Sequence, residues 1–329
     1  MNRKVRLIAG VAKAGPHLPL FKEGGFEILH CDKQVEVFRA ECLIEQLAGC
    51  SAVISGVEPY TAEVIQACPD LRVIARTGVG YDAIDTAACD RAGVVVAVTP
   101  GVNHHAAAEQ AIALLMGVAR GFPAADRMVR DGRWGFVARP RVIGSTIGLV
   151  GLGRIGQAVA TRAVGLGLKV IAFEPFPPEE FVRKWNIELT TLEELLERSD
   201  YVSLHCPYSQ DSHHLMDAEK FGQMKPGSVF INTARGLLVD ETALVAALRS
   251  GHLRGAGLDV FEVEPLPLES ALLDLPNVLL APHLAGADNE SRHDTLTMSA
   301  QTIVQLADGE WPGDRIVNLK GVKDWSWRR

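Results

Sequence analysis

Three glycines with a fixed spacing give the first chemical signal in this sequence of 329 residues. They belong to the segment Gly151, Leu152, Gly153, Arg154, Ile155 and Gly156, which has the pattern GxGxxG. The segment directly follows an apolar strand predicted at 147–150 and opens a helix predicted at 154–164. Glycines at such a turn let the backbone and the positive end of the helix approach a pyrophosphate group. The spacing and its context predict a dinucleotide-binding βαβ unit.

An acidic residue, Glu174, follows the next predicted strand at 169–173. A carboxylate at the end of this strand accepts hydrogen bonds from the adenosine ribose hydroxyls and repels a 2′-phosphate. The four residues that follow, Pro-Phe-Pro-Pro at 175–178, supply no Arg or Lys to offset that repulsion. The sequence therefore predicts NAD rather than NADP as the cofactor.

Short β-rich segments alternate with helical patterns in both halves of the chain. In the first half the predicted strands are 5–9, 27–30, 52–55, 71–75 and 94–98, with helices at 41–47, 61–68 and 86–91. After a long helix at 105–120, the second half has predicted strands at 147–150, 169–173, 201–205, 228–232, 255–259 and 278–281. This alternation predicts an α/β fold with parallel sheets in two domains. A final helix at 289–308 is expected to return to the first domain.

Composition and charge exclude several classes of protein. Hydrophobic residues make up 47% and charged residues 22% of the chain, which is typical of globular proteins and not of disordered ones. A formal net charge of -7 does not favour a nucleic-acid partner. No apolar stretch is long enough to predict a membrane span, and the N-terminus is interpreted as a first strand rather than a signal peptide.

The six cysteines point to a reducing compartment. They are Cys31, Cys42, Cys50, Cys68, Cys89 and Cys206. They form no CxxC pair and no close cysteine–histidine spacing, so we expect reduced thiols, a cytoplasmic location and no metal site.

Several longer motifs resemble one enzyme family. They are GLVGLGRIG at 148–156, NTARG at 232–236, LDVFEVEP at 258–265, APHLAG at 281–286, VIARTGVGYDAID at 73–85 and PGVNHHAAAEQAIALLMGVAR at 100–120. Their order and spacing resemble those of the NAD-dependent D-2-hydroxyacid dehydrogenases, in particular the D-3-phosphoglycerate dehydrogenase-like branch. The resemblance extends over residues 5–318.

This resemblance implies an architecture and an activity. Residues 1–99 and 289–329 would form a discontinuous flavodoxin-like substrate-binding domain, and residues 100–288 a Rossmann-type NAD-binding domain inserted into it. The enzyme would transfer a hydride between NAD(H) and C2 of a D-2-hydroxy acid or 2-oxo acid, a small-molecule substrate. A homodimer formed through the NAD-binding domains is also implied, with no nucleic-acid or membrane partner.

The chemistry requires three side chains, which the family motifs assign. A base near neutral pH must exchange the hydroxyl proton, and the assigned residue is His283. A guanidinium group can hold the substrate carboxylate with two parallel hydrogen bonds, which the motif assigns to Arg235. A carboxylate must orient the base, and Glu264 matches that position. Glu262 is the alternative carboxylate, and His205 is the alternative histidine.

The resemblance also implies binding residues. Those for the substrate are Gly78, Val79 and Gly80, with Arg235 and His283. Those for the cofactor are Gly151, Gly153, Arg154, Ile155, Gly156, Glu174, Cys206, Pro207, Thr233, Ala234, Arg235, Asp259, His283 and Gly286. Asp259 would hold the nicotinamide carboxamide, and backbone N–H groups at 78–80 would meet the substrate carboxylate.

The sequence departs from the phosphoglycerate branch near the end of the third strand. That branch usually has an Arg there to meet the phosphoryl group, whereas this chain has Ser55-Gly-Val-Glu58. Arg76 is a possible substitute. Two substrate classes therefore stay open, a phosphorylated acid like 3-phosphoglycerate and an unphosphorylated one such as hydroxypyruvate or glyoxylate. About twenty residues follow the last helix, so an appended regulatory domain is not expected. The remote alternative to an enzyme is an NAD(H)-sensing regulatory protein on the same fold.

Overall fold

The computed structural model describes residues 3–8, 13–31, 36–320, 322 and 325–327. The strands are β1 (Lys4–Leu7), β2 (Glu27–His30), β3 (Ala52–Ser55), β4 (Val73–Arg76), β5 (Val95–Ala97), β6 (Thr146–Val150), β7 (Lys169–Phe173), β8 (Glu188–Leu189), β9 (Tyr201–Leu204), β10 (Ser228–Asn232), β11 (Leu253–Leu258) and β12 (Val278–Leu280). The helices are α1 (His17–Glu23), α2 (Ala40–Leu47), α3 (Ala62–Ala67), α4 (Thr86–Ala92), α5 (His104–Arg120), α6 (Phe122–Arg130), α7 (Arg154–Gly165), α8 (Glu179–Trp185), α9 (Leu192–Arg198), α10 (Ala218–Gln223), α11 (Glu241–Arg249) and α12 (Asn289–Ala307). The chain divides into two units, Met1–Asn103 with Asp288–Arg329, and His104–Ala287.

The first unit contains a parallel five-stranded sheet in the order β2-β1-β3-β4-β5. Its central strands are continuously apolar because helices cover both faces of the sheet. One of the covering helices is α12, whose apolar face packs with Phe21 of α1 against the strands. The residues that α12 contributes to this core are Leu296, Ala300, Ile303 and Leu306.

The second unit contains a parallel seven-stranded sheet in the order β12-β11-β10-β9-β6-β7-β8. The chain leaves β6 toward β7 and later returns to β9 on the other side of β6, so the strand order reverses between β6 and β9. In open α/β sheets, ligands bind outside the carboxyl ends of the strands at such a reversal. The prediction of an α/β fold with two parallel-sheet domains is confirmed.

Several predicted boundaries shift in the structure. The first strand is β1 at Lys4–Leu7, and Ala9, the end of the predicted strand, lies outside the described residues. The helix predicted from residue 105 begins at His104, and the strand predicted at 255–259 is the longer β11. Several elements were not predicted explicitly, namely α1, α6, α8, α9, α10, α11 and the two-residue β8. Within the described ranges, no helix combines the length and apolar character needed to cross a membrane.

Candidate active site

The glycine turn after β6 has the conformation that its spacing predicts. Gly151 has φ +101°, a region that favours glycine, and a Cβ there would lie 2.6 Å from the backbone nitrogen of Cys206. A Cβ on Gly156 would lie 2.2 Å from the carbonyl oxygen of Gly151, so α7 can begin this close to the strand only with glycine. Gly153 faces open space, which leaves room for a ligand against its backbone.

The start of α7 presents backbone donors suited to an anion. In the part of the chain that the structure describes, the N–H groups of Gly153, Arg154, Ile155 and Gly156 have no hydrogen-bond acceptor. No side chain caps the helix at Gly153, and Arg154 is exposed beside it. Unpaired N–H groups at a helix N-terminus bind phosphate oxygens. These residues fit the pyrophosphate of a dinucleotide.

Glu174 lies directly against this turn. Its carboxylate accepts hydrogen bonds from the backbone nitrogens of Leu152 at 2.8 Å and Phe176 at 3.0 Å. The carboxylate is therefore fixed at the end of β7 beside the phosphate-binding turn, the position from which an acidic side chain meets the ribose hydroxyls.

The segment after β9 forms the opposite wall of the turn. His205 has both ring nitrogens buried without a hydrogen-bond partner among the described residues, and burial lowers its pKa to about 3. This imidazole is neutral at physiological pH. Burial raises the pKa of the Cys206 thiol to about 11, so it is not a thiolate nucleophile. Pro207 is exposed next to it.

His283 and Glu264 form a hydrogen-bonded pair. The distance from His283 Nδ1 to Glu264 Oε2 is 2.6 Å, and both side chains are about one-third exposed. Burial raises the pKa of the Glu264 carboxyl, but the hydrogen bond and charge of His283 outweigh it and the pKa lies below its usual value. An ionised carboxylate only accepts, so Nδ1 of His283 carries the shared proton. Nε2 of His283 is therefore the ring nitrogen that can exchange a proton with another group.

Asp259 holds the loop that carries His283. Its side chain is fully buried, and its two oxygens accept hydrogen bonds from the backbone nitrogens of Leu284 at 3.1 Å and Ala285 at 2.8 Å. Its carbonyl oxygen accepts the His283 N–H at 2.8 Å. Burial raises the pKa of this carboxyl. His283 itself has φ +51°, a strained conformation for a non-glycine residue, which the Asp259 contacts hold in place.

Arg235 follows β10 in a turn organised by a buried asparagine. The Asn232 side chain accepts from the Ala234 N–H at 3.0 Å and donates to the Arg235 carbonyl at 2.8 Å. The Arg235 guanidinium donates through Nη1 to the Ala234 carbonyl at 2.6 Å, and its charge is a small contribution to the lowered pKa of Glu264. Thr233 has a buried hydroxyl without a partner among the described residues. Such an orphaned hydroxyl is consistent with a cofactor contact at this position.

The structure separates the two candidate carboxylates. Glu262 Oε1 pairs with His214 Nε2 at 2.7 Å, whereas Glu264 pairs with His283. His205 has no carboxylate partner among the described residues. Among the candidate carboxylates and histidines in the described residues, Glu264 and His283 are the two that pair with each other. Gly286, also predicted to bind cofactor, lies half-buried in the turn after this pair.

In the first unit, the loop at 78–80 is held by its carbonyl groups. The Gly78 carbonyl accepts from the N–H of Thr99 at 3.0 Å, and the Gly80 carbonyl accepts from Nε of Arg76 at 2.8 Å. The N–H groups of Gly78, Val79 and Gly80 have no acceptor in the described ranges. A row of unpaired backbone donors forms a concavity that suits an anion.

Sequence reasoning missed two residues that shape the site. Asn232 organises the Arg235 turn, but in the sequence it was noted only as the first residue of the NTARG motif, without a role. Glu241, at the start of α11, accepts a hydrogen bond from the Glu262 N–H at 2.7 Å. An acidic residue in the first turn of a helix looks like an ordinary dipole partner, so the sequence gives no sign of this longer contact.

Comparisons with known proteins agree with this geometry. Residues 112–285 match the family model described as D-isomer specific 2-hydroxyacid dehydrogenase, NAD binding domain. The chain is 42% identical to a glyoxylate reductase from Korarchaeum cryptofilum over 85% of this chain and 86% of that protein. It is 41% identical to a D-3-phosphoglycerate dehydrogenase from Mycobacterium tuberculosis over 79% of this chain but only 49% of that protein.

A solved structure gives the same result at the level of the fold. D-lactate dehydrogenase from Aquifex aeolicus, complexed with NAD and lactic acid, matches with a TM-score of 0.82 and 26% identity, covering 95% of this chain and 98% of that one. The chain therefore belongs to the D-isomer specific 2-hydroxyacid dehydrogenase family and is an oxidoreductase with an NAD-binding domain.

Proposed function

We propose that this enzyme reduces a small, unphosphorylated 2-oxo acid to the D-2-hydroxy acid with NADH. The observation that carries the choice of substrate is the turn at 55–58, where the phosphoglycerate branch has a phosphate-binding Arg. The turn is built around the buried carboxyl group of Glu58 and offers no Arg or Lys of its own to a phosphoryl group.

Glu58 is the centre of this turn. It is 2% exposed, and Oε2 accepts hydrogen bonds from the Gly56 N–H at 2.7 Å and the Ser55 hydroxyl at 3.1 Å. Burial raises the pKa of this carboxyl, and the hydrogen bonds and the charge of Arg76 lower it in part. The side chain thus stabilises the turn from within.

Arg76, the possible substitute for the phosphate-binding Arg, donates to two backbone carbonyl groups. Its guanidinium donates through Nη1 to the Gly56 carbonyl and through Nε to the Gly80 carbonyl, and it lies near the Glu58 charge. These contacts join the turn at 55–58 to the anion-binding loop at 78–80. Arg76 is accordingly assigned to positioning that loop. The similarity to the Korarchaeum glyoxylate reductase supports the same substrate class.

In this reaction the His283–Glu264 pair supplies the proton, and Arg235 binds the carboxylate of the substrate. NADH supplies the hydride to C2 when it is bound. His283 gives the proton on Nε2 to the carbonyl oxygen, which becomes the hydroxyl, and the Glu264 carboxylate stabilises the charged imidazole beforehand. Arg235 binds the substrate carboxylate, and the N–H groups at 78–80 form an anion site for the same class of ligand.

A substrate panel tests this proposal. We expect glyoxylate or hydroxypyruvate with NADH to give a kcat/KM at least about tenfold above that of 3-phosphohydroxypyruvate, since losing a charge-compensated phosphate contact costs about 1.5–3 kcal/mol. Oxidation of NADH is followed by absorbance. Pyruvate serves as a matched control for the size of the acid. A higher kcat/KM for the phosphorylated acid would show that the substrate assignment is wrong.

We also propose that the enzyme is a homodimer joined through the second unit. The α6 surface, defined as α6 and residues 131–143, carries large exposed apolar side chains, and α6 itself buries none of its residues. These side chains include Phe122, Val129, Trp134, Phe136 and Val137, of which Trp134 and Phe136 are over 90% exposed. Several large exposed apolar side chains on one segment indicate a protein interface. A second copy of this chain is the partner that the family resemblance implies.

Sedimentation velocity tests the dimer. The wild-type enzyme is expected at twice its chain mass of 35.5 kDa, and the double variant Trp134→Asp/Phe136→Asp at the chain mass, because buried charges at an interface are costly. Leu268→Asp, a change at an equally exposed apolar residue outside the α6 surface, should leave the mass unchanged. A double variant that sediments as a dimer would exclude this surface.

We also propose a cytoplasmic location for the enzyme. The proposal is supported by the six cysteines, all of which are free thiols.

A further inference from the structure

The loop at 261–264 carries the Glu264 carboxylate, and neighbouring elements hold it at several points. Glu264 itself accepts the Phe261 N–H at 3.0 Å through Oε1, which leaves Oε2 for His283. The next N–H along the loop, that of Glu262, donates to Glu241 Oε1 at 2.7 Å. Two consecutive backbone donors of this loop are thus bound by two different carboxylates.

The other face of the loop packs against the Arg235 turn. A Cβ on Gly236 would lie 1.8 Å from the Phe261 carbonyl oxygen and 2.5 Å from the Glu262 nitrogen. The loop therefore cannot shift toward the turn, because backbone atoms already touch there. The Glu241 hydrogen bond holds the same Glu262 nitrogen from α11.

Glu241 is free for this contact because another residue caps its helix. Asp240 is the N-cap of α11 and accepts the Ala243 N–H at 3.0 Å. Glu241 follows it in the first turn and extends away from the helix to Glu262. Its place is electrostatically unfavourable, because burial and the nearby charges of Glu262 and Glu264 all raise its pKa. The hydrogen bond from the Glu262 N–H lowers the same pKa in part, so this contact offsets some of the cost of placing the carboxyl group there.

The side chain of Glu262 provides a second anchor. It pairs with His214 at 2.7 Å, and His214 has φ +51°. The His214 N–H donates to the Leu237 carbonyl at 3.0 Å, next to Gly236. The backbone and the side chain of Glu262 are therefore held from two sides, by α11 and by the segment before α10.

We propose that Glu241 is a positioning residue for the reaction, which acts by binding the Glu262 N–H and so fixes the Glu264 carboxylate against His283. His214 has the same role through the Glu262 side chain. Neither residue contacts the substrate. The proposal rests on the assignment of His283 and Glu264 as the acid–base pair.

The test compares Glu241→Ala with Glu241→Gln. The alanine variant loses the acceptor, and we expect kcat to fall roughly 10- to 100-fold with the KM for NADH unchanged, since a displacement of about 1 Å near the chemistry costs up to 10²-fold. The glutamine variant keeps a carbonyl acceptor at the same reach and should restore most of the rate. Asp240→Ala is the matched control, expected to lower the melting temperature through the lost helix cap without changing kcat.

A second measurement does not depend on turnover. The proton shared by His283 and Glu264 should give a downfield imidazole resonance in the proton NMR spectrum, identified by its loss in His283→Ala. We expect Glu241→Ala to shift or broaden this resonance and Glu241→Gln to retain it. His214→Gln, which weakens the other anchor, should shift it in the same direction and provides the test if Glu241→Ala does not fold.

Three outcomes would overturn the proposal. The first is an unchanged kcat and an unchanged resonance in Glu241→Ala. The second is an unchanged resonance in His214→Gln. The third is an equal loss of rate in Glu241→Ala and Glu241→Gln, which would show that the charge of Glu241 matters and not its hydrogen bond. A wild-type enzyme that reduces no 2-oxo acid would instead refute the proposed function, and the NMR comparison would still decide whether Glu241 holds the pair together.

Discussion

The His283→Ala variant is expected to lose about 10²- to 10⁴-fold in kcat for 2-oxo acid reduction while it still binds NADH. The loss follows from the geometry, because Nδ1 of His283 is bound to Glu264 at 2.6 Å and Nε2 is the atom left to transfer a proton. Stopped-flow kinetics would measure the loss, and NADH fluorescence would measure binding. Added imidazole should restore part of the rate, which it would not do if His283 only supported the fold.

His293→Ala is the matched control for this experiment. His293 is 62% exposed on α12 and pairs with Asp294, so removing its imidazole should change neither kcat nor NADH binding. Undiminished turnover in His283→Ala would refute the acid–base assignment. A loss of NADH binding equal to the loss of kcat would assign His283 to the cofactor rather than to proton transfer.

The low pKa of Glu264 gives this assignment a pH window. The carboxylate is ionised throughout the neutral range, so its support of a charged His283 is complete above the ordinary carboxyl pKa. That support, and the stability it contributes to the fold, is lost as the pH falls through the lowered pKa of Glu264.

The second large effect is expected for Arg235. Arg235→Ala should lower kcat/KM for the 2-oxo acid at least about 10- to 150-fold, since each hydrogen bond to a charged group is worth about 1.5–3 kcal/mol. Arg235→Lys should recover only part of this loss, because a lysine offers a point charge and not a planar fork for two carboxylate oxygens. Steady-state kinetics with varied 2-oxo acid would measure both variants.

The control for Arg235 is Arg249→Ala, which removes an exposed guanidinium at the end of α11. Its kcat/KM should equal that of the wild type. A lysine variant as active as the wild type would exclude bidentate binding of the carboxylate, and an unaffected alanine variant would remove Arg235 from substrate binding altogether.

The glycine turn and Glu174 can be proposed from the sequence as a cofactor site because their pattern is local. Gly156 is constrained by the carbonyl of Gly151, and Glu174 follows the next strand, so a segment of about 30 residues contains the motif. The contact between Gly151 and Cys206 lies outside that segment. The helix α6 was missed for the opposite reason. It buries no side chain, so no apolar stripe facing a core marks it, and only the Pro at its start and the Gly before it indicate a helix.

The pairing of side chains within the site could not be predicted in the same way. Glu262 and Glu264 are two residues apart, and either could reach a histidine on a neighbouring loop. Their partners, His214 and His283, are decided by long-range packing, including the contact between Gly236 and Phe261. The role of Asp259 as a cofactor ligand stays a prediction, and nothing in the sequence indicates that its buried carboxylate also binds the loop of His283. These contacts join segments that are far apart in the chain. The hydrophobic periodicity of the sequence predicts local helices and strands and does not predict such contacts.

The return of α12 to the first unit has a consequence for synthesis on the ribosome. Residues 104–287 form their sheet and both of its apolar faces from one continuous stretch, so this unit can fold as soon as it has emerged. The sheet around Phe21 emerges earlier but lacks Leu296 and Ile303 until the end of translation. The part of the chain made first therefore completes its core last, and during that interval its apolar strands are the segment most exposed to aggregation and to chaperone binding.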